Sequence, residues 1–324
     1  MSLGANTICI AHGNDADGLI CAVYLAQLRM TSTILVNYDE FEATLSRIQP
    51  PVKEIYLCDL NIRDAVCPEI VRIAGFAKTT IVDHHPTTRE TLENLQKAGV
   101  TLIYNTLDCA SVLLSDYLRK ELIHEELRLA AYAAISDQFE EGPLATDLLA
   151  TFDKQLVQHE ALILTHALAK EHSMPFKLMV IEELKKYAFP HSIDGVTQAA
   201  LSYLELATGV IRTLPRESVR LGRLAYAESK EQVSTGTTAN LLLDALDVEV
   251  GVSYKTAGAG VLNVSARGRR GFTAHLGEIT RRLAQKCGGF GGGHRLASGA
   301  SISTGRLREF LSSFEEELNQ SEKT

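Results

Sequence analysis

The sequence predicts a doubly wound α/β protein with a mainly parallel sheet, a helical extension and a smaller α/β domain near the C-terminal end. From residue 7 to about 120, short apolar runs alternate with segments whose apolar residues recur at helical spacing, which is typical of a parallel sheet flanked by helices. Helical patterns then dominate to about residue 187, and strand patterns return after residue 219. A length of 324 residues is enough for two domains with separate cores.

The predicted sheet of the first domain has five apolar runs as strands. These are Thr7 to Ala11, Thr33 to Asn37, Glu54 to Cys58, Thr79 to Val82 and Thr101 to Tyr104. The segments between them predict helices at Gly18 to Arg29, Phe41 to Ile48, Ile62 to Ala74 and Thr91 to Ala98. Because ligands of such sheets bind beyond the carboxyl ends of the strands, functional side chains are expected just after these runs.

The helical extension runs from Ala110 to about Tyr187. Two apolar stripes indicate faces that pack in a core: Leu144, Leu148, Phe152 and Leu156, and Phe176, Val180 and Leu184. We interpret Gly195 to Ala207 as a helical connector between the domains, bracketed by breaks at Phe189-Pro190-His191 and Leu214-Pro215-Arg216.

The second domain combines predicted strands and helices. Strands are expected at Val219 to Ala227, Val248 to Tyr254, Val261 to Ala266 and Ala297 to Ile302, and helices at Thr238 to Leu246 and Thr273 to Lys286. The predicted organisation is a metal-binding domain over residues 1–190, a helical linker over 191–218 and a substrate-binding domain over 219–324.

Composition limits the classes of function. The chain has 45% apolar and 22% charged residues, and it contains neither a stretch that could span a bilayer nor a secretion signal, so we expect a soluble cytoplasmic protein without a membrane partner. The six cysteines form no C-x-x-C pair and are interpreted as small buried apolar residues. A net charge of −8 argues against binding of long nucleic acid through the whole surface.

Acidic and histidine side chains follow several of the predicted strands. Asp15 and Asp17 lie after the first strand, Asp59 after the third, and Asp83-His84-His85 after the fourth, while Asp137 ends an apolar helical run. Separate strand ends that bring carboxylates and imidazoles to one edge predict a site for two divalent cations, for which Mn²⁺ is preferred and Mg²⁺ is the alternative. A calcium loop is excluded at Asp15, because Val23 to Gln27 supply no glutamate at its twelfth position.

The chain resembles the DHH phosphoesterase superfamily, which is named for the triplet found here as Asp83-His84-His85. The resemblance covers nearly the whole chain, because Gly-Gly-Phe-Gly-Gly-Gly-His294 is similar to the substrate-binding motif of the DHH-associated domain. It implies a two-metal phosphodiesterase in which hydroxide, formed from a bridging water, attacks phosphorus in line.

The resemblance also implies a role for each site residue. One cation would be held by Asp15, Asp59 and His12, and the other by Asp17, Asp59, His84 and Asp137, so that Asp59 bridges the two. His12 stands three residues before Asp15, where many members have a spacing of four or two, so its role as a ligand is left open. Catalytic roles are implied for Asp59, for His85, which would face the scissile phosphate, and for Asp83, which would orient a histidine.

Substrate binding is predicted for the second domain. The resemblance implies that Gly291, Gly292, Gly293, His294 and Arg295 hold the end of a nucleic acid or a nucleotide across a cleft from the metals. Between Val261 and Ala300 there are seven basic residues against one acid, a local patch suited to phosphate contacts. Among them, Arg267 is predicted to bind phosphate directly.

The expected substrate is a short single-stranded oligonucleotide or a dinucleotide, cleaved to nucleoside monophosphates in the manner of an oligoribonuclease. The alternatives are a RecJ-like single-strand exonuclease, a 3'-phosphoadenosine 5'-phosphate phosphatase, a pyrophosphatase or polyphosphatase, and a cyclic-dinucleotide phosphodiesterase. A non-catalytic nucleotide-binding module is the alternative from another class. Sugar preference, chain polarity and a homodimeric state are left open by the sequence.

Overall fold

The computed structural model describes residues 6–258 and 260–320, which separate into two compact units. The first ends at Tyr203 and the second begins at Leu204. This boundary lies inside the predicted linker over 191–218. The outermost residues of the predicted domains, 1–5 and 321–324, and residue 259 lie outside the described residues.

The first unit is built on a five-stranded parallel sheet in the order β2-β1-β3-β4-β5. The strands are β1 (Thr7–His12), β2 (Ser32–Val36), β3 (Glu54–Cys58), β4 (Lys78–Asp83) and β5 (Thr101–Tyr104). This order reverses direction beside β1, as expected of a doubly wound sheet. The predicted fold class and its five strands are confirmed.

Helices between the strands cover both faces of this sheet. They are α1 (Ala16–Leu28), α2 (Phe41–Ser46), α3 (Cys67–Ala74) and α4 (Arg89–Lys97). Alternate residues of β1 belong to different cores, with Cys9 and Ala11 in one and Ile8 and Ile10 in the other. Burial on both sides explains why the strands are apolar runs and do not alternate with polar residues.

The helical extension consists of α5 (Ala110–Tyr117), α6 (His124–Ser136), α7 (Pro143–Leu149), α8 (Lys154–Lys170) and α9 (Met174–Leu184). The stripe predicted from Leu144 to Leu156 is wrong as a single helical face. Asp153 accepts a hydrogen bond from the Leu156 N–H at 2.8 Å and starts a new helix, and Leu156 is exposed. The stripe on α9 is confirmed, since Val180 and Leu184 are fully buried.

Helix α10 (Val196–Glu217) contains the boundary between the units. The predicted break at Pro215 is wrong, because Pro215 lies inside this helix. A proline inside a helix removes one backbone hydrogen bond. Pro215 lies two residues before the helix ends at Glu217, so only the last turn is affected. The break at Pro190 is confirmed, since Pro190–Ser192 form a short 3₁₀ turn.

The second unit has a six-stranded mixed sheet in the order β10-β11-β9-β8-β7-β6. Its strands are β6 (Val219–Leu221), β7 (Leu224–Glu228), β8 (Val250–Gly258), β9 (Val261–Gly268), β10 (Phe290–Gly293) and β11 (Ala297–Ser303). Its helices are α11 (Thr235–Ala245), α12 (Leu276–Lys286) and α13 (Leu307–Gln320). Among the described strands of this sheet, only β7 and β8 pair in parallel.

Two glycine positions change the predicted strands of this unit. The strand expected from Val219 to Ala227 is a hairpin, because Gly222 adopts a φ of +56° between β6 and β7. The glycine run, where no strand was predicted, is mostly the edge strand β10, which pairs with β11 from Phe290 to Gly293. A β ladder uses only backbone groups, so a strand without side chains still pairs.

The remaining predictions on composition concern membranes and cysteines. Within residues 6–258 and 260–320, no helix is long and apolar enough to cross a bilayer. All six cysteines are buried and free, which confirms their interpretation as core residues.

Candidate metal centre

The candidate site lies at the carboxyl ends of β1, β3 and β4. His12 is the last residue of β1, Asp59 follows β3 directly, and Asp83 ends β4. Helix α1 begins close to the end of β1, since a Cβ on Gly18 would lie 2.3 Å from the carbonyl oxygen of His12. Glycine at this position therefore lets the Asp15-Ala16-Asp17 segment approach the strand end.

His84 lies at the centre of three carboxylates. Its Nε2 atom is 3.3 Å from Asp59 Oδ1, 3.4 Å from Asp137 Oδ2 and 3.8 Å from Asp17 Oδ2. Asp137 reaches this point from the C-terminal end of α6. The potential ligand atoms of Asp17, His84 and Asp137 all lie within 4.8 Å of one another, a grouping that could hold a divalent cation.

Asp17 is held in place by the beginning of α5. Its two carboxylate oxygens each accept a backbone hydrogen bond of 2.8 Å, one from Ala110 and one from Ser111. The positive end of a helix dipole also stabilises a buried negative charge. These two hydrogen bonds fix the orientation of the Asp17 carboxylate.

Asp59 is a buried carboxylate that lies among other acidic side chains. It is buried, and its Oδ2 atom has no hydrogen-bond partner among the described residues. Burial, together with the negative charges of Asp15, Asp17, Asp137 and Asp83, raises the pKa of Asp59 well above its usual range. A divalent cation would supply the positive charge that this carboxylate lacks, so the residues present fit the predicted metal.

His12 pairs with Asp15, the first carboxylate after β1. His12 Nε2 lies 3.3 Å from Asp15 Oδ2, and Asp15 also accepts the N–H of Gly18 at 3.3 Å as the N-cap of α1. Burial lowers the pKa of His12, although the Asp15 carboxylate opposes this effect. A neutral imidazole is the form that binds metals, so the geometry is compatible with a ligand role, which stays a prediction.

Asp83 serves as an anchor for the two histidines that follow it. Its Oδ1 accepts hydrogen bonds from the backbone N–H groups of His84 and His85 and lies 2.8 Å from His85 Nδ1, while its Oδ2 accepts the N–H of Ile62. Burial alone would raise the pKa of Asp83, but the His85 charge and hydrogen bonds lower it to about 2. Asp83 is thus a carboxylate that orients His85.

Three polar side chains at this edge were not predicted from the sequence. The Tyr38 ring stacks on His12 with centroids 4.1 Å apart, and its hydroxyl lies 3.3 Å from His85 Nε2. Lys177 is buried in α9, and its ammonium group donates a 3.0 Å hydrogen bond to Asn14, the neighbour of Asp15. No spacing rule links these positions, because they come together only when β2 and α9 pack beside β1.

For the phosphodiester hydrolysis that the resemblance implies, we expect Tyr38→Phe to lower kcat about fivefold, because one neutral hydrogen bond that holds His85, worth about 1 kcal/mol, is removed. The stacking on His12 is kept, so metal affinity should change little. Steady-state kinetics and Mn²⁺ titration of the purified variant test this. Equal losses in kcat and in metal affinity would contradict a role confined to His85.

The predicted substrate-binding residues all lie in the second unit. Arg267 is on β9, where its Nη1 donates to the carbonyls of Ala266 and Ser298, and Gly291 to Gly293 belong to β10. His294 and Arg295 form the turn to β11. The basic patch is partly neutralised, since Arg269 pairs with Asp247 and Arg282 with Glu317.

A protein-family model matches the second unit of the chain. Residues 222–320 match the DHHA1 domain family. At the level of full sequences, no curated protein matches the chain.

Solved structures share the fold of the whole chain. A DHH-domain member of the S1p family of ribosomal proteins has a TM-score of 0.68 at 16% identity, covering 96% of this chain and 86% of that one. The pGpG-specific phosphodiesterase PggH from Vibrio cholerae has a TM-score of 0.57 at 13% identity, covering 97% and 99%. RecJ from Thermus thermophilus with Mn²⁺ has a TM-score of 0.59 at 15% identity, covering 97% of this chain and 52% of RecJ.

Proposed function

We propose that this chain, a member of the DHH phosphoesterase superfamily by its DHHA1 domain and its fold, is a metal-dependent phosphodiesterase. Its substrates would be short single-stranded oligonucleotides or dinucleotides, hydrolysed to nucleoside monophosphates. The proposal depends most on one observation, the buried cluster in which His84 faces Asp17, Asp59 and Asp137. Such a cluster of acids has no structural benefit without a cation.

We assign Asp17, Asp59, His84 and Asp137 to one cation, and His12, Asp15 and Asp59 to a second. Divalent cations, when bound, would stabilise charge on the phosphoryl oxygens and lower the pKa of an attacking water. Imidazole ligands favour Mn²⁺ over Mg²⁺. RecJ from Thermus thermophilus has been solved with either ion.

The residues of the chain itself fix the orientation of His85. Because Asp83 is ionised at neutral pH, His85 Nδ1 carries the proton that this carboxylate accepts. His85 Nε2 is then the acceptor for the Tyr38 hydroxyl, whose pKa is raised by burial and by the nearby aspartates. Hydrogen bonds at both nitrogens hold the His85 ring in one orientation, and its role toward the scissile phosphate stays a prediction.

The structural comparisons include proteins of both substrate types. The Vibrio cholerae protein that is specific for pGpG is matched over 99% of its length, RecJ from Thermus thermophilus over 52%, and an exonuclease RecJ bound to manganese over 90%. We favour a dinucleotide or short oligonucleotide, because a net charge of −8 argues against binding of long nucleic acid through the whole surface, and the RecJ-like exonuclease is the alternative. Arg267, Gly291 to Gly293, His294 and Arg295 are assigned to substrate binding in the second unit, and a cytoplasmic location stays a prediction.

The proposal is tested with end-labelled RNA and DNA from dinucleotides to long oligomers, incubated with Mn²⁺ and the wild-type protein or His84→Ala. Pyrophosphate and 3'-phosphoadenosine 5'-phosphate are included as competing substrate classes. We expect mononucleotides to be released fastest from the shortest oligomers, and the variant to lose this activity. Fastest cleavage of long single strands would favour the exonuclease, and binding without hydrolysis would favour a non-catalytic module.

A further inference from the structure

A lysine side chain is buried next to the candidate metal centre. Lys177 belongs to α9, which packs on α1, and only 4% of its surface is exposed. Its ammonium group donates a 3.0 Å hydrogen bond to Asn14 Oδ1, the single acceptor that it has among the described residues. An ammonium group has three donors and loses hydration on burial, so packing alone does not account for a lysine at this position.

The hydrogen bond holds this positive charge beside the segment that follows β1. Asn14 directly precedes Asp15, and its amide is oriented at both ends, because its Nδ2 donates to Asn37 while its Oδ1 accepts from Lys177. Burial lowers the pKa of Lys177, and the carboxylates of Asp15 and Glu40 oppose this effect. An amine near two carboxylates keeps its proton at neutral pH, so Lys177 supplies a permanent positive charge here.

This charge acts on two residues that were assigned to the second cation. We call the set His12, Asp15 and Asp59 the second cation site. The Lys177 ammonium attracts the Asp15 carboxylate, whose Oδ2 lies 3.3 Å from His12 Nε2. Burial is the main cause that lowers the pKa of His12, and the charge of Lys177 adds to this lowering. A divalent cation bound by His12 and Asp15 would therefore be repelled by the ammonium group.

The other set of ligands lies in a more negative environment. We call the set Asp17, Asp59, His84 and Asp137 the first cation site. It brings three carboxylates within 3.3 to 3.8 Å of His84 Nε2. Neither Asp17 nor Asp59 forms an ion pair with a described lysine or arginine. The second cation site has one carboxylate fewer and a buried ammonium group beside it.

We propose that Lys177 weakens the second cation site, so that the chain binds its first divalent cation at His84 and its second with lower affinity at His12 and Asp15. This inference rests on the proposed function, from which it takes the two sets of ligands. Lys177 touches neither cation and acts only through its charge. Removal of that charge should make the affinities of the two sites more nearly equal.

Calorimetric titration of the metal-free protein with Mn²⁺ tests the proposal without hydrolysis. We expect one tight and one weaker site in the wild type. Lys177→Met removes the charge from a side chain of similar length, and should tighten the weaker site about tenfold while leaving the tight site nearly unchanged. Lys154→Met is the matched control, because it removes the same charge at an exposed position of α8, and it should titrate like the wild type.

The direction of the change separates this role from a structural one. If Lys177 served only to hold α9 against the segment before α1, its replacement would weaken Mn²⁺ binding or leave it unchanged, and either result would overturn the proposal. Lys177→Arg keeps the charge and should keep the weaker second site. A second site that tightens in this variant, or two equal sites in the wild type, would also contradict the proposal.

The Mn²⁺ dependence of hydrolysis gives an independent readout if short oligonucleotides are cleaved. The weaker site sets the Mn²⁺ concentration for half-maximal rate, so Lys177→Met should reach that rate at about tenfold lower Mn²⁺ than the wild type and the Lys154→Met control. An unchanged concentration would overturn the proposal. Protein that shows the expected Mn²⁺ affinities but hydrolyses nothing would support the role of Lys177 and reject the proposed function alone, whereas no Mn²⁺ binding in any variant would overturn both.

Discussion

If short oligonucleotides are the substrate, replacing Asp59 with asparagine is expected to lower kcat/KM about 10³-fold, because the carboxylate that we propose for both cations is lost, and with it several kcal/mol of charge stabilisation by metal. The substitution suits the backbone, since Asp59 has a φ of +57°, a region that asparagine adopts readily. In the absence of metal, the variant should be at least as stable as the wild type, because a carboxylate buried among other acids is removed.

Two measurements on the same samples check this prediction, namely hydrolysis with Mn²⁺ and urea unfolding with EDTA. Asp116→Asn is the matched control, because it makes the same chemical change at an exposed position of α5. A variant that keeps most of its activity, or one that is destabilised without metal, would show that Asp59 is not the bridging ligand.

The second large effect is a loss of folding stability when Asp83 is replaced. Asp83→Asn removes a buried charge that accepts hydrogen bonds from His84, His85 and Ile62, and should lower the free energy of unfolding by about 3 kcal/mol. Activity should fall about 10- to 100-fold, because His85 loses the carboxylate that orients its ring.

The pH dependence of this stability difference has a defined sign. The pKa of Asp83 is lowered to about 2, so its carboxylate stabilises the fold fully above the ordinary value of about 3.9. The contribution is lost as the pH falls from there through 2. Urea unfolding of wild type and variant should give a constant difference near neutral pH and a shrinking one below about pH 4. A difference that stays constant in acid would contradict the role assigned to the Asp83 carboxylate.

The sheet and the strand-end residues could be predicted because both depend on local patterns. Each apolar run of the first domain is a strand, and β1, β3 and β4 are buried on both faces, so their ends indicated where Asp59 and Asp83 would meet. The site geometry then follows from parallel pairing, since β1, β3 and β4 are neighbours. The roles assigned to individual ligands stay predictions.

Other features depend on contacts that the sequence does not reveal. Tyr38 and Lys177 reach the site only through packing of β2 and α9, and neither follows a motif. Asp17 is oriented by backbone groups of Ala110 and Ser111, more than 90 residues away, whose N–H donors have no sequence signature. Pro215 was interpreted as a break because of its residue type, but it lies inside a helix. No strand was predicted at Phe290 to Gly293, because only the pairing with β11 makes this glycine-rich segment a strand.

The most direct test of the account is the rate of mononucleotide release from a dinucleotide as Mn²⁺ is titrated into metal-free protein, for wild type and His84→Ala. We predict a rate that rises from near zero to saturation for the wild type, and a variant that requires much higher Mn²⁺ and reaches a far lower rate. Hydrolysis that is independent of metal, or equal in the two proteins, would contradict a metal centre at His84, Asp17, Asp59 and Asp137.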